Sequence, residues 1–340
     1  MLGDSRVSEP GRRYRVTLVA GDGVGPEMAD ATVHVLEAAG VPIDWEEVVA
    51  GERALVTFGT ALPNAALESI RINGVALKAR LRAAPGLRNP NVALRRELGL
   101  GVQLRPVRSL PGSRYPGLDL VVIRETLEGE YAGLEHRVVP GVVESIKVIT
   151  EAGCTRIGEF AFAHARRAGR KKVTAVHKAN ILKVSDGLFL ECVRKVAARF
   201  PDITLDERIV DSTCMQLVLD PYRFDLLVME SFYGDLVADL CAGLAGGISA
   251  ARAASIGTRI AVFEAVHDAP AEWIGKNWAN PLPLLGSALL MLEHLGENEA
   301  AARIEAAISR VLFDRTAVTR DLGGSARTIE MAQAIASALA

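Results

Sequence analysis

Charge of one sign is what this sequence most plainly lacks: 39 Lys and Arg stand against 41 Asp and Glu, for a net charge of −2. So even a balance gives no field for gripping a polyanion and argues against nucleic acid as a partner. Aromatic residues make up only 5%. Cysteines number four (Cys154, Cys192, Cys214, Cys241), scattered without a CxxC pair. That pattern argues against a zinc site or a disulfide framework, and a reducing cytoplasm is the location expected from it. No stretch approaches the roughly 18 uncharged apolar residues of a membrane span, so no membrane partner is expected. The opening MLGDSRVSEPGRRYR has no apolar core behind its charges and does not read as a secretory signal.

What is present is a chain of 340 residues, 49% hydrophobic and 24% charged, long enough for two lobes. RVTLVA, from Arg15, reads as a strand running straight into GDGVGP. From Pro26, residues Met28, Ala31, Val35 and Ala38 fall near one helical face, with Gly40 placed to end the helix. Further strands are expected at IDWEEVVAG from Ile43 and near 102–107, 118–124, 172–178 and 225–229. Helices are expected from about Thr155 to a stop at Gly169, and from about Ser185. Strands alternating with helices predict an α/β fold with a largely parallel sheet. The basic run around 170–172 reads as a solvated helix end.

Strand, glycine turn and helix, with Glu46 and Glu47 just over twenty residues on, invite a dinucleotide-binding reading. The spacing disagrees. Gly21, Gly23 and Gly25 are evenly spaced and Pro26 follows, whereas the fingerprint is G-x-G-x-x-G. A tight strand-to-helix connection explains the turn equally well.

Polar side chains collect in four segments of otherwise apolar surroundings: Asn89, Asn91, Arg95 and Arg105; Arg124 and Tyr131; Lys178; and Asp211, Asp235 and Asp239. Arginines at the ends of buried strands suggest carboxylate clamps, because guanidinium meets carboxylate through two parallel hydrogen bonds. Asp235 and Asp239 are four apart and share one side of a helix; with a third carboxylate they could hold a hard divalent cation. Taken singly, each arginine could be a surface ion pair and the two aspartates a solvated helix face. Taken together they suggest a carboxylated substrate whose carbonyl is polarised as charge develops on it.

The segments resemble the β-decarboxylating isocitrate/isopropylmalate dehydrogenases, most closely the NAD-dependent isocitrate enzymes. The resemblance runs from about Arg15 to about Ala336 through GDGVGPE, NVALRRELGL with LRPVR, LEGEYAGLEH, TAVHKANILKVSDGLF, YGDLVADLCAGLAGG, FEAVH and DLGGSART. It implies two α/β lobes with an active-site cleft between them rather than a standard Rossmann domain. An outer lobe of 1–105 plus 248–340 and an inner lobe of 106–247 with the dimer interface are expected. By the same resemblance, Asn89, Asn91, Arg95, Arg105 and Arg124 bind substrate, and Asp211, Asp235 and Asp239 bind Mg²⁺ or Mn²⁺. Tyr131 is the implied proton donor after decarboxylation, and Lys178 serves proton transfer at the substrate hydroxyl. Lys178 and Asp211 would reach into a neighbour's site, so a homodimer or a multiple of one is expected. Glu264, His267, Glu272 and Asn280 would bind the cofactor, with Glu272 accepting from ribose hydroxyls and favouring NAD over a 2′-phosphorylated cofactor.

Departures fall at the substrate and cofactor ends. The family's HG[ST]AP reads HDAPA from His267, its P-N-L-Y-G-D reads ESFYGD from Glu230, and its E-N-T-E-G reads ETLEG from Glu125. A serine that reads the γ-carboxylate of isocitrate is replaced by Asn89, which Pro90 should hold extended. Asn89 could instead cap the following helix. Three readings stay open: oxidation of isocitrate to 2-oxoglutarate; the same chemistry on homoisocitrate, a 3-alkylmalate, tartrate or a phosphonate analogue; or a non-catalytic regulatory subunit. Against the last stands the presence of every metal and proton-transfer residue.

Overall fold

The computed structural model describes residues 13–266 and 269–339. They divide into two compact units: a middle unit of 99–109 and 113–247, and a terminal unit made of the chain before 99 and after 247 together with 110–112.

In the terminal unit, strands lie in the order Ile43–Glu47, Tyr14–Val19, Val75–Lys78, Ala261–Glu264 and Ala254–Ile256. The first four run parallel and the last is antiparallel to its neighbour. Tyr14–Val19 is buried at every position but Arg15, as expected of a parallel strand covered on both faces. Helix Gly25–Ala38 follows the glycine turn and packs on helices Thr328–Ser337 and Leu282–Leu295. The last of these, LPLLGSALLMLEHL, is apolar nearly all round, and it packs against strands Val75–Lys78 and Ala261–Glu264. Glu46 and Glu47 sit in strand Ile43–Glu47, where Glu46 accepts from Asn73 and pairs with Arg15.

In the middle unit the order is Val102–Arg108, Asp119–Glu125, Leu226–Met229, Lys172–His177 and Thr204–Ile209. The last four are mutually parallel, whereas Val102–Arg108 is antiparallel to Asp119–Glu125. Helices Glu151–Arg167 and Ser185–Ala197 pack together, and helix Ser231–Leu244 lies against Asp119–Glu125. Gly234 permits that approach: a Cβ there would come within 2.3 Å of the Arg124 Cβ. The basic run ends helix Glu151–Arg167 and is paired rather than free, Arg170 with Asp119 and Asp225.

An antiparallel hairpin, Gly129–Val139 with Val142–Val148, was not anticipated. Its apolar residues Leu134, Val138, Val139, Val142, Val143 and Ile146 are exposed, so no in-out alternation marks it in the sequence.

Candidate active site

The antiparallel register of Val102–Arg108 on Asp119–Glu125 sets Gln103 opposite Arg124, with Arg105 two residues along on the same face. Both arginines meet helix Ser231–Leu244. Arg124 Nη1 lies 2.8 Å from Asp235 Oδ1, and Arg105 Nη2 donates to Asp239 Oδ1 at 2.9 Å while its Nη1 is 3.9 Å from Asp235. Gln103 Oε1 accepts from Arg124 Nε at 2.8 Å, and the Ser231 carbonyl accepts from Nη1 at 3.2 Å. The arginine side chains are 3% exposed, whereas Asp235 is 39% and Asp239 57% exposed.

Tyr131, from the hairpin's first strand, donates its hydroxyl to Asp235 Oδ2 beneath the Arg124 guanidinium, 5.4 Å from its ring centre. Burial, aided by the Asp235 carboxylate, pushes the phenol above its ordinary value, so it keeps its proton at neutral pH.

Lys178 follows strand Lys172–His177, and Asp211 opens helix Val210–Leu219. Their side chains meet at 2.6 Å, and that hydrogen bond holds Asp211 below the usual carboxylate range. Asp186 Oδ2 accepts from the Lys178 main-chain N–H at 2.7 Å. Asp235 and Asp239 thus come together and Asp211 stands with Lys178. Among the described residues no group of three His, Cys, Asp or Glu side chains is placed to hold a metal within one chain. The Asp235–Asp239 pair supplies hard oxygen donors suited to Mg²⁺ or Mn²⁺, but needs a further carboxylate from elsewhere.

In the terminal unit, Asn89 is the N-cap of helix Pro90–Glu97: its side-chain oxygen accepts from Asn91 N at 2.9 Å, and its backbone is extended, with φ −60° and ψ 119°. The Asn91 carboxamide braces the chain after strand Val75–Lys78, donating to Leu81 O at 2.6 Å and accepting from Lys78 Nζ at 2.9 Å. Arg95 is buried, 2.9 Å from Glu264 Oε1 and 3.2 Å from Ser255 Oγ. Glu264 also pairs with fully buried Lys78 at 3.1 Å. Burial pushes Glu264 up, but Arg95, Lys78 and the Ser255 hydroxyl outweigh it and hold the carboxyl far below its ordinary value. Its side chain is therefore committed to these partners.

Glu272 is exposed in the single turn Ala271–Trp273. The Asn280 carboxamide is spent on Ser249, Asp321 and the Leu282 N–H. His267 lies outside the described residues.

Sequence reasoning missed Lys78 and Gln103. Lys78 ends an apolar strand, VALK, which is the same signal that singled out Arg124.

Residues 15–335 match the isocitrate/isopropylmalate dehydrogenase family. The catalytic subunit 5 of a mitochondrial NAD isocitrate dehydrogenase from Arabidopsis thaliana is 47% identical over 325 residues, covering 94% of this chain and 87% of that one. Subunit 2 of the mitochondrial enzyme from Schizosaccharomyces pombe is 45% identical over 334 residues, covering 96% and 88%. Among solved structures, isocitrate dehydrogenase from Methylococcus capsulatus superposes with a TM-score of 0.92 at 46% identity, covering 96% of this chain and 99% of that one.

An α/β chain carrying these side chains is a decarboxylating dehydrogenase. It belongs to the isocitrate/isopropylmalate dehydrogenase family. One expectation is overturned: both of these curated relatives are named as mitochondrial, which contradicts the cytoplasmic location read from the sequence. Reduced, scattered thiols could not discriminate, because a mitochondrial matrix keeps thiols reduced as well. Both curated relatives are also named as subunits, and the homodimer stands as a proposal.

Proposed function

We propose that the chain oxidises and decarboxylates a 2-hydroxy acid of the isocitrate type with NAD as acceptor, working as a homodimer or a multiple of one. The observation that carries this reading is the meeting of Arg105, Arg124 and Tyr131 on the two exposed carboxylates Asp235 and Asp239. The buried guanidinia form a carboxylate receptor whose present partners can return to water, so substrate carboxylates exchange with them at modest cost. Tyr131, held protonated, donates to the carbanionic carbon left after loss of CO₂. Lys178 moves the proton of the substrate hydroxyl. The terminal and middle units correspond to outer and inner lobes, the inner one carrying the dimer interface.

Asp235 and Asp239, together with the partner's Asp211, would hold Mg²⁺ or Mn²⁺, which when bound polarises the 2-oxo group. Glu272 and the segment around Asn280 would hold NAD, which when bound accepts the hydride from the 2-hydroxy carbon. Asn89 bears on which acid is used. Its oxygen is occupied by capping, while its amide N–H groups remain to donate to a γ substituent at longer reach than serine. A related acid with a differently shaped γ group is thus the second reading. NADH formation with Mn²⁺ is the test, measured across isocitrate, homoisocitrate, 3-isopropylmalate, tartrate and a phosphonate analogue. Turnover of at least one is expected; none with any, by chain that binds NAD, would leave the regulatory-subunit reading standing.

A further inference from the structure

The glycine turn looks like a dinucleotide fingerprint but is closed on the protein itself. Gly21 and Gly23 adopt φ of +74° and +62°, and a Cβ on Gly25 would meet the Ala20 carbonyl at 2.3 Å. The Asp22 carboxylate accepts from Glu52 N at 2.8 Å and Arg82 N at 2.7 Å, and the Arg82 guanidinium sits where a side chain on Gly23 would go. With Pro26 at its start, the helix presents Glu27 in its first turn.

From there Glu27 reaches a segment 250 residues away. Its Oε2 accepts from Asn277 N at 2.9 Å, and its Oε1 from Ala279 N at 2.8 Å and from the Thr328 hydroxyl at 3.2 Å. The same segment is tied from behind by Thr328 N to Asn277 O at 2.9 Å, and Asn277 itself stands at φ +56°. Asparagine tolerates that left-handed conformation better than most residues, but it needs surroundings that hold it. Glu27 supplies them. With 277 and 279 turned toward Glu27 and the Asn280 carboxamide spent elsewhere, the Asn280 main-chain N–H has no partner among the described residues.

We propose that Glu27 is a positioning residue for the cofactor: delivered by the glycine turn, it fixes segment 277–280 in the conformation that receives the adenosine end of NAD. The proposal rests on the reading of that segment as the NAD site. Only a carboxylate accepts from both main-chain N–H groups with one oxygen on each. Glutamine would turn an NH₂ toward one main-chain N–H and leave that donor unpaired, a loss large enough to displace the segment.

Of the chain's three tryptophans, Trp278 lies within the segment and Trp273 four residues before it, so intrinsic fluorescence reports NAD binding without turnover. Glu27→Gln is expected to raise the Kd for NAD about tenfold and to raise the NAD KM in parallel, with the change in KM and not in kcat. Thr328→Val, which removes the hydroxyl's contacts to Glu27 Oε1 at 3.2 Å and to the Ala279 carbonyl at 2.7 Å, should raise Kd two- to threefold by the same argument and stands in should Glu27→Gln fail to fold. A lowered melting temperature with unchanged Kd in these variants would mean that Glu27 serves stability alone, and would overturn the proposal. Glu272→Ala separates the two readings, since it should lower the preference for NAD over NADP. If Glu272→Ala weakens that preference while Glu27→Gln leaves Kd alone, positioning by Glu27 is refuted. If none of the three variants alters NAD binding, the segment is not the cofactor site and both readings fall.

Discussion

In the terminal unit, Glu264 faces Lys78 and Arg95 with every member withdrawn from solvent. In the middle unit, Arg105 and Arg124 are just as buried, yet the carboxylates they face are 39% and 57% exposed. The pairs are chemically alike, and burial of the anion separates their roles. A carboxylate locked among buried cations cannot leave without stranding charge in a low-dielectric interior, so that cluster braces the fold. A carboxylate at the surface can be rehydrated, so its arginine can accept another anion in exchange. The second arrangement is the one a carboxylate-binding enzyme needs.

The largest effect should come from breaking the closed cluster. Glu264→Gln takes the facing carboxylate from Lys78 and Arg95, which keep neutral partners such as Asn91, the Ala79 carbonyl and Ser255, and should cost about 3–5 kcal/mol of stability at pH 7, measured by denaturant unfolding. The pH dependence sharpens the point. Because the folded carboxyl is held well below the unfolded value of 4.5, its contribution is complete above pH 4.5 and is lost as pH falls from there toward the folded value. The gap between wild type and variant should therefore narrow only in acid; a gap that is constant from pH 7 to pH 3 would refute the closed-cluster account.

Breaking the open cluster should do the reverse. Asp235→Asn leaves Arg124 its bonds to Gln103 and the Ser231 carbonyl, so stability should change by less than about 1 kcal/mol. Turnover should fall about a hundredfold or more, given the loss of a partner to Arg124 and Tyr131 and, on the proposed reading, of a carboxylate that would hold a metal. If activity with Mn²⁺ survives intact, Asp235 does not serve the site.

The smallest effect belongs to Asn89. Asn89→Ala should cost about 1 kcal/mol as a lost cap, whereas serine caps nearly as well and should leave the melting temperature unchanged. Asn89→Ser then reads the free amide alone: a changed ratio of kcat/KM for isocitrate against 3-isopropylmalate assigns it to recognition, and an unchanged ratio makes it a cap only.

Much was legible because it was local. The strand, glycine turn and helix at the N-terminus follow from β-branched runs, Gly and Pro, and the i, i+4 pair on helix Ser231–Leu244 follows from helical geometry. The extended backbone of Asn89 follows from Pro90. Where burial did not alternate, as in the exposed hairpin of 129–148, pattern reading had nothing to detect.

The order of residues along the chain sets which chemistries are available: the arginines, the tyrosine, the lysine and the aspartates, and the local elements that carry them. Tertiary structure decided what each one meets. Glu264 finds Arg95 across 169 positions and Glu27 finds Asn277 across 250, separations over which no periodicity or spacing carries information. It also decided which carboxylates keep contact with water. That property arises only from packing, because desolvation depends on everything that surrounds a group and not on its neighbours along the chain.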